Sequence, residues 1–166
     1  MSKDKGSFIK GNYSDYSVGI VRAKYNEALG DELYKNTLSA LLKQKVKEAS
    51  VTTIEVPGAL EIAYGIRKLI EKVENLDVVI ALGIVIRGDT YHFEMVCDNT
   101  YSDISRLQDN VRMPIIKGIL TVDNIEAAAL RVLAGKKKFD GINYEGLNKG
   151  KEFAEAALTM AKLGRG

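Results

Sequence analysis

The chain has 166 residues, 24 Lys and Arg against 22 Asp and Glu, and a net charge of +2. That length suits one domain with a substantial core, and a hydrophobic content of 46% is that of a folded chain rather than a disordered one. The basic residues are scattered apart from Lys136-Lys137-Lys138, which leaves no stripe for a nucleic-acid backbone. No apolar run is long enough to cross a bilayer, and the single cysteine, Cys97, excludes an internal disulfide or a multi-cysteine metal site.

The N-terminal stretch MSKDKGSFIKGNYSDY is polar and lacks the apolar segment of a secretory signal, so the expected location is cytoplasmic. Residues 1–15 are expected to form a flexible arm ahead of a single domain over residues 16–166. From Tyr16, YSVGIVRA reads as the first strand. Asn26 is placed to cap a helix over Glu27 to about Lys47. SVTTIEVPG, from Ser50, reads as a second strand ended by Pro57-Gly58.

Ile62, Ile66, Leu69, Ile70 and Val73 then form one apolar stripe at helical spacing. LDVVIALGIVI, from Leu76, is nearly unbroken, as in a parallel strand covered on both faces. The next helix carries Phe93, Val96, Cys97, Ile104 and Leu107 on one side, with Cys97 read as a core residue. PIIKGILTV, from Pro114, is a fourth strand, and Asp123 with Glu126 makes a D-x-x-E capping signature for a helix through about Leu133. Residues 134–146 break the pattern with three glycines and a charge run. A last helix is expected to bury Phe153, Ala156, Ala157 and Met160. The alternation predicts a three-layer α/β/α sandwich around a four-stranded parallel sheet in flavodoxin-like order.

Ligand sites in such folds lie off the carboxyl ends of the strands. Those ends carry Lys24-Tyr25-Asn26, Pro57-Gly58-Ala59-Leu60-Glu61, Arg87-Gly88-Asp89-Thr90-Tyr91-His92 and Thr121-Val122-Asp123-Asn124. Neither a P-loop nor a G-x-G-x-x-G after the first strand is present, so a phosphate would have to be held another way. The Gly88-Asp89-Thr90 turn into a helix can offer free backbone N–H groups to an anion, or it can be a plain turn capped by Asp89. His92, the only histidine, is either a helix-surface residue or a group that gives and takes a proton near neutral pH. Glu61 suits a helix first turn with or without a ligand, and Tyr25 either stacks on a flat ligand or packs. A flavodoxin would want Ser or Thr in the loop after the first strand, and Arg22 to Ala28 has none. A receiver domain would want an acidic cluster there, and a phosphorylatable Asp where this chain has Arg87 and Gly88.

Four blocks, in order and in register, resemble the lumazine synthase family of riboflavin biosynthesis. They are Val56 to Ile62, the run GIVIRGDTYHFEMV over Gly83–Val96, Gly118 through Glu126, and Asn148-Lys149-Gly150. The resemblance implies condensation of 5-amino-6-(D-ribitylamino)pyrimidine-2,4-dione with 3,4-dihydroxy-2-butanone 4-phosphate to 6,7-dimethyl-8-ribityllumazine, releasing phosphate and water. It implies no metal and no organic cofactor. By the same resemblance His92 transfers protons, Gly88, Asp89 and Thr90 cradle the phosphate, and Arg131 pairs with that phosphate from a neighbouring subunit. Tyr25 would face the pyrimidine ring, while Asn26, Gly58, Ala59, Leu60 and Glu61 line the ribityl and ring side. Val85 and Ile86 would offer backbone groups to the ring edge, and Lys149 would lie close to the substrates.

Two departures stand out. Lys117 occupies the position where many members place an aromatic from the neighbouring subunit against the pyrimidine, so it is expected to line the site without stacking. The connection over roughly 134–147 is longer than in shell-forming members, so a homopentamer or decamer is expected, with active sites at subunit interfaces. The alternative on the same fold is a catalytically impaired binder or scaffold.

Overall fold

The structure is a computed structural model and describes residues 6–8 and 10–166. Strand β1 (Val18–Ala23) leads to α1 (Glu27–Lys43), β2 (Val51–Val56), α2 (Ile62–Lys72), β3 (Val78–Ile86), α3 (His92–Gln108), β4 (Ile115–Val122) and α4 (Ile125–Val132). A hairpin, β5 (Ala134–Phe139) and β6 (Ile142–Leu147), precedes α5 (Lys149–Arg165). The main sheet is parallel in the order β2-β1-β3-β4. Its two central strands, β1 and β3, are buried on both faces over most of their length, as the unbroken apolar run in β3 predicts.

The layers follow from residue alternation along the strands. Val18, Ile20, Ile80, Leu82 and Leu120 belong to one core cluster with residues of α1, α4 and α5. Val21, Val79, Ala81 and Ile119 belong to the other, with Ile62, Ile66 and Leu69 of α2 and Ile104 of α3. The predicted α2 stripe is therefore the buried face of that helix. Cys97 is half-buried, and burial pushes its thiol pKa up, which leaves it a poor nucleophile. Among the described residues no helix is long and apolar enough to cross a membrane.

Several local expectations are corrected. Helix α1 ends at Lys43 rather than Lys47, because Lys45 adopts a left-handed conformation (φ 69°). The Lys45 N–H then donates to Leu42 O and the Val46 N–H to Leu41 O, a Schellman arrangement that buries Val46. Asn26 precedes α1 but makes no cap; it is left-handed (φ 61°), and its Nδ2 donates to Ile84 O at 2.9 Å. Helix α4 is capped by Asn124, whose Oδ1 accepts from the Ala127 N–H at 2.8 Å, and not by Asp123, whose carboxylate is taken by Arg87.

Helix α5 buries Gly150, Ala154, Ala157, Leu158 and Ala161, while Ala156 and Met160 are exposed. Of the expected face, Ala157 is buried and Phe153 packs half-buried against the core, while Ala156 and Met160 turn outward because a close approach to α1 selects small residues. The break over residues 134–146 is an antiparallel hairpin closed by Asp140 and Gly141, both at positive φ. Its base is joined by a 2.9 Å bond from the Asn148 N–H to Leu133 O.

Of the expected N-terminal arm, residues 1–5 and 9 lie outside the described residues. Tyr13 is buried, with its ring edge-on to Tyr16 at 5.0 Å, so packed chain begins ahead of β1. At the opposite end of the fold Arg165 donates to both carboxylate oxygens of Asp77, at 2.7 and 2.9 Å, and to Asp15 Oδ2 at 2.8 Å. Its guanidinium also lies 3.9 Å from the Tyr16 ring centroid, which fixes the end of α5 beneath β1 and β3.

A methyl group on Gly150 would fall 2.8 Å from both Leu33 O and Thr37 Oγ1 of α1. Gly150→Ala should therefore cost about 1–3 kcal/mol despite the better helix propensity of alanine. Gly164→Ala, where such a group meets nothing within 4 Å, should be neutral or stabilising by up to about 1 kcal/mol. Urea unfolding at matched protein concentration checks both.

Candidate functional site

The strand order sets the turns after β2, β1, β3 and β4 side by side across about 14 Å of sheet edge, at roughly 4.8 Å per strand. The order reverses between β1 and β3, and a crevice at that point is where open parallel sheets take ligands. Asn26 and Ile84 meet there. The carboxamide bond between them ties the end of β1 to the end of β3.

The β1 and β2 ends are stitched together. The Lys24 N–H donates to Val56 O at 2.9 Å and the Tyr25 N–H to Pro57 O at 3.1 Å. Lys24 Nζ lies between Glu27 (2.6 Å) and Glu55 (2.9 Å), and hydrogen bonds to the two carboxylates raise its pKa and lower that of Glu55. This puts the ring of Tyr25 against Gly58, where a Cβ would fall 2.7 Å from Tyr25 Cε2. The glycine is needed for that close approach, and the ring remains 67% exposed. Ala59–Glu61 form a 3₁₀ turn ahead of α2. Ala59 is buried, Leu60 and Glu61 are exposed, and Glu61 Oε2 accepts from the Gly58 N–H at 2.9 Å. One oxygen of that carboxylate is thus a local cap, and Oε1 has no partner among the described residues.

Past β3, whose last residues Val85 and Ile86 are half-buried, every residue from Arg87 to His92 is exposed. Gly88, Asp89 and Thr90 form the turn into α3, and the His92 N–H donates to Thr90 Oγ1 at 3.3 Å. Tyr91 makes no side-chain cap on α3, and the His92 N–H is taken only by the long bond to Thr90 Oγ1, so the start of the helix can still turn N–H groups to an anion. His92 opens the helix on the same turn.

Arg87 itself is committed elsewhere. Its Nε donates to Asp123 Oδ1 at 2.8 Å, its Nη1 donates to Glu94 Oε1, and its guanidinium lies 4.3 Å from the Phe93 ring centroid. Hydrogen bonding to Arg87 holds the Glu94 carboxyl below the ordinary glutamate range. Sequence reasoning placed Arg87 and Lys24 at strand ends but assigned neither a role. Their partners lie on other elements, and only the strand-end position pointed to them.

Three expected site residues lie apart from this array. Arg131 is half-buried on α4, where Nη1 donates to Ala127 O at 2.9 Å. Lys149 opens α5 and pairs with Glu152 at 2.8 Å, its side chain only 13% exposed. Lys117 lies on β4, an edge strand, and its Nζ donates to Ser105 Oγ on α3. No side-chain hydrogen bond or ion pair among the described residues joins any of the three to His92 or to Gly88–Thr90. The groove of about 640 Å³ between α2 and α3 shares Leu60 with the strand-end array but none of its other groups.

No group of three His, Cys, Asp or Glu side chains that could hold a metal ion occurs among the described residues. A parallel α/β sheet with an open helix N-terminus, a histidine and an exposed aromatic at its carboxyl edge defines a small-molecule site able to hold an anion and move a proton. The family model for 6,7-dimethyl-8-ribityllumazine synthase matches residues 15–165. The chain is 34% identical to a synthase of that name from a Polaromonas species, over 96% of this chain and 94% of the relative. It is 38% identical to the one from Polynucleobacter necessarius, covering 92% and 80% of the two chains, and 36% identical to the one from Nitrosospira multiformis, covering 93% and 87%. This chain belongs to the 6,7-dimethyl-8-ribityllumazine synthase family.

Glu94 offers a direct check of the β3 end. Its folded-state pKa is depressed, so the stability contributed by the Arg87 pair is complete above the ordinary glutamate pKa and is lost as pH falls through the folded value. A carboxyl-detected NMR titration should find the Glu94 midpoint below the ordinary glutamate range. Arg87→Met, which removes the largest cause of the depression, should raise that midpoint.

Proposed function

We propose that this chain condenses 5-amino-6-(D-ribitylamino)pyrimidine-2,4-dione with 3,4-dihydroxy-2-butanone 4-phosphate, in an active site that a second copy of the chain completes. The product is 6,7-dimethyl-8-ribityllumazine, released with phosphate and water in the penultimate step of riboflavin biosynthesis. Family membership supports the reaction. The division of the site is carried by one observation about charge.

A butanone phosphate arrives as an anion and needs a cation. The two cations that flank the strand-end array, Lys24 and Arg87, each lie between two carboxylates. Arg131, in contrast, is half-buried and pairs with no carboxylate among the described residues, and no hydrogen bond or ion pair joins it to its own chain's Gly88–His92 turn. An arginine held in this way suits a neighbour's phosphate, which it can grip with two parallel hydrogen bonds. Tyr25, Leu60, Tyr91 and Met95 stand exposed at or near the strand ends, a further sign of a surface that another subunit covers. The assembly we favour is a homopentamer, or a decamer of two.

The roles then follow from position. The backbone N–H groups of Gly88, Asp89 and Thr90, in the turn into α3, hold the phosphate. Tyr25 faces the pyrimidine, and Asn26, Gly58, Ala59, Leu60 and Glu61 line the ribityl side. Val85 and Ile86 present backbone groups to the ring edge. Lys149 and Lys117 come, with Arg131, from the adjoining subunit. The 5-amino group attacks the ketone and water leaves to give an imine. His92 moves protons in that step and in the loss of phosphate; the enol left by that loss becomes a ketone, and ring closure on it by the ribitylamino nitrogen expels a second water. Most of the acceleration comes from holding two small reactants together, with modest acid–base help.

Lumazine fluorescence, followed with both substrates present, tests this directly. His92→Ala should be slower by roughly 10- to 100-fold while still exceeding the uncatalysed reaction, since positioning survives the loss of one proton carrier. Arg131→Ala should be impaired as well. Co-refolding the two impaired variants should raise activity above that of either alone, because some interfaces then combine an intact His92 with an intact Arg131. No recovery from assemblies shown to be mixed would place each site within a single chain.

A further inference from the structure

We propose that Arg87 is a positioning residue, which holds the turn carrying Gly88–His92 at its working height by joining β3 to α3 and to the end of β4, and which does not itself bind the phosphate. The inference rests on the synthase reading above and concerns the same site.

The turn from Arg87 to His92 has little else to hold it. All six residues are exposed, so packing does not fix them. Helix α3 begins without a side-chain cap, and the first turn contributes only long contacts: the Met95 N–H to Tyr91 O at 3.3 Å, and the His92 N–H to Thr90 Oγ1 at 3.3 Å. Against this, Arg87 makes four contacts, on β4, on the turn that follows it and on α3. Its backbone N–H donates to Val122 O at 2.9 Å, extending the β3–β4 pairing by one residue. Its Nε holds Asp123, its Nη1 holds Glu94, and its flat face covers Phe93.

Phe93 and Glu94 immediately follow His92 in the first turn of α3. Fixing them relative to the end of β3 fixes both the direction of the helix N-terminus and the place of the imidazole. A guanidinium is suited to this task because it is planar, bridges two carboxylates at once and stacks on an aromatic ring. A lysine can do one of these things at a time. The same two carboxylates disqualify Arg87 as the phosphate's counter-charge, since together they outweigh it.

The two roles predict opposite effects when a carboxylate is removed. If Arg87 positions the turn, Glu94→Gln loosens it. kcat should then fall by roughly 10-fold, the KM for the butanone phosphate should not improve, and inorganic phosphate should inhibit no better than before. If Arg87 is instead a phosphate ligand held in check, Glu94→Gln frees it, so KM should fall and inorganic phosphate should bind more tightly. Arg87→Lys, which keeps the charge but not the bridge, should be as impaired as Glu94→Gln if the residue positions the turn, and close to wild type if charge alone matters.

Circular dichroism and sedimentation of each variant establish that it is folded and assembled. Tighter phosphate binding in Glu94→Gln, or full activity in either variant, overturns the proposal. Inactivity of the wild-type protein would overturn the synthase reading instead, and inorganic phosphate binding alone would then decide the role of Arg87.

Discussion

A strand covered on both faces carries a polar side chain only where a partner meets it, as Asp31 meets Arg22 in β1, or where it leaves the sheet. Strand β3 obeys this from Val78 onward, and its first polar residue is Arg87, one position beyond its end. The polar groups that follow, Gly88 to His92, are consequently delivered together at one height beside the ends of β1 and β4. Burial of the sheet and concentration of chemistry at its carboxyl edge are one constraint seen from two sides. The glycines that allow close approach and the asparagine that bridges β1 to β3 are secondary to it.

Charge at that edge is arranged in a second way. Lys24 and Arg87 are each enclosed by acids, and both are structural ties: Lys24 joins the ends of β1 and β2, and Arg87 joins the ends of β3 and β4 to α3. Each is partly solvated, so each contributes more to geometry than to stability. Along the sheet edge, left and right pairs of strands are thus fastened separately, and the Asn26 carboxamide links the two halves. A cation enclosed by acids has little field left for a ligand.

Much of the fold was legible from periodicity. The stripe over Ile62–Leu69 and the apolar run of β3 are read without ambiguity because each is long and follows one period. Local errors fell where two signals compete. Asn26 before Glu27 suggests a cap, but asparagine also tolerates the left-handed conformation, and Ile84 O, 58 residues away, decides between them. Asp123 and Asn124 are both plausible caps, and only a partner 36 residues distant, Arg87, removes Asp123 from the choice. In α5 the eye is drawn to Phe153 and Met160, whereas the buried face is built from glycine and alanines that permit close packing on α1. The Asp140-Gly141 pair between Phe139 and Ile142 is a hairpin signal that the lysine run obscured. Strand-end residues of the candidate site were visible because the fold class dictates where to look. The pairings of Arg87 and Lys24 were not, because they exist only between elements.

The hairpin has a consequence for how such a chain can change over generations. Strands β5 and β6 pair only with each other and share no ladder with the main sheet. The chain leaves at Leu133 and returns at Asn148, and those two residues are already hydrogen-bonded to one another. Phe139 and Tyr144 pack the hairpin on the core, but its turn at Asp140-Gly141 can grow or shrink without shifting the register of a single strand in the four-stranded sheet. Insertions and deletions here are therefore close to neutral for the edge that carries His92. This stretch of surface is free to diverge in shape among relatives while the residues at the strand ends stay where they are.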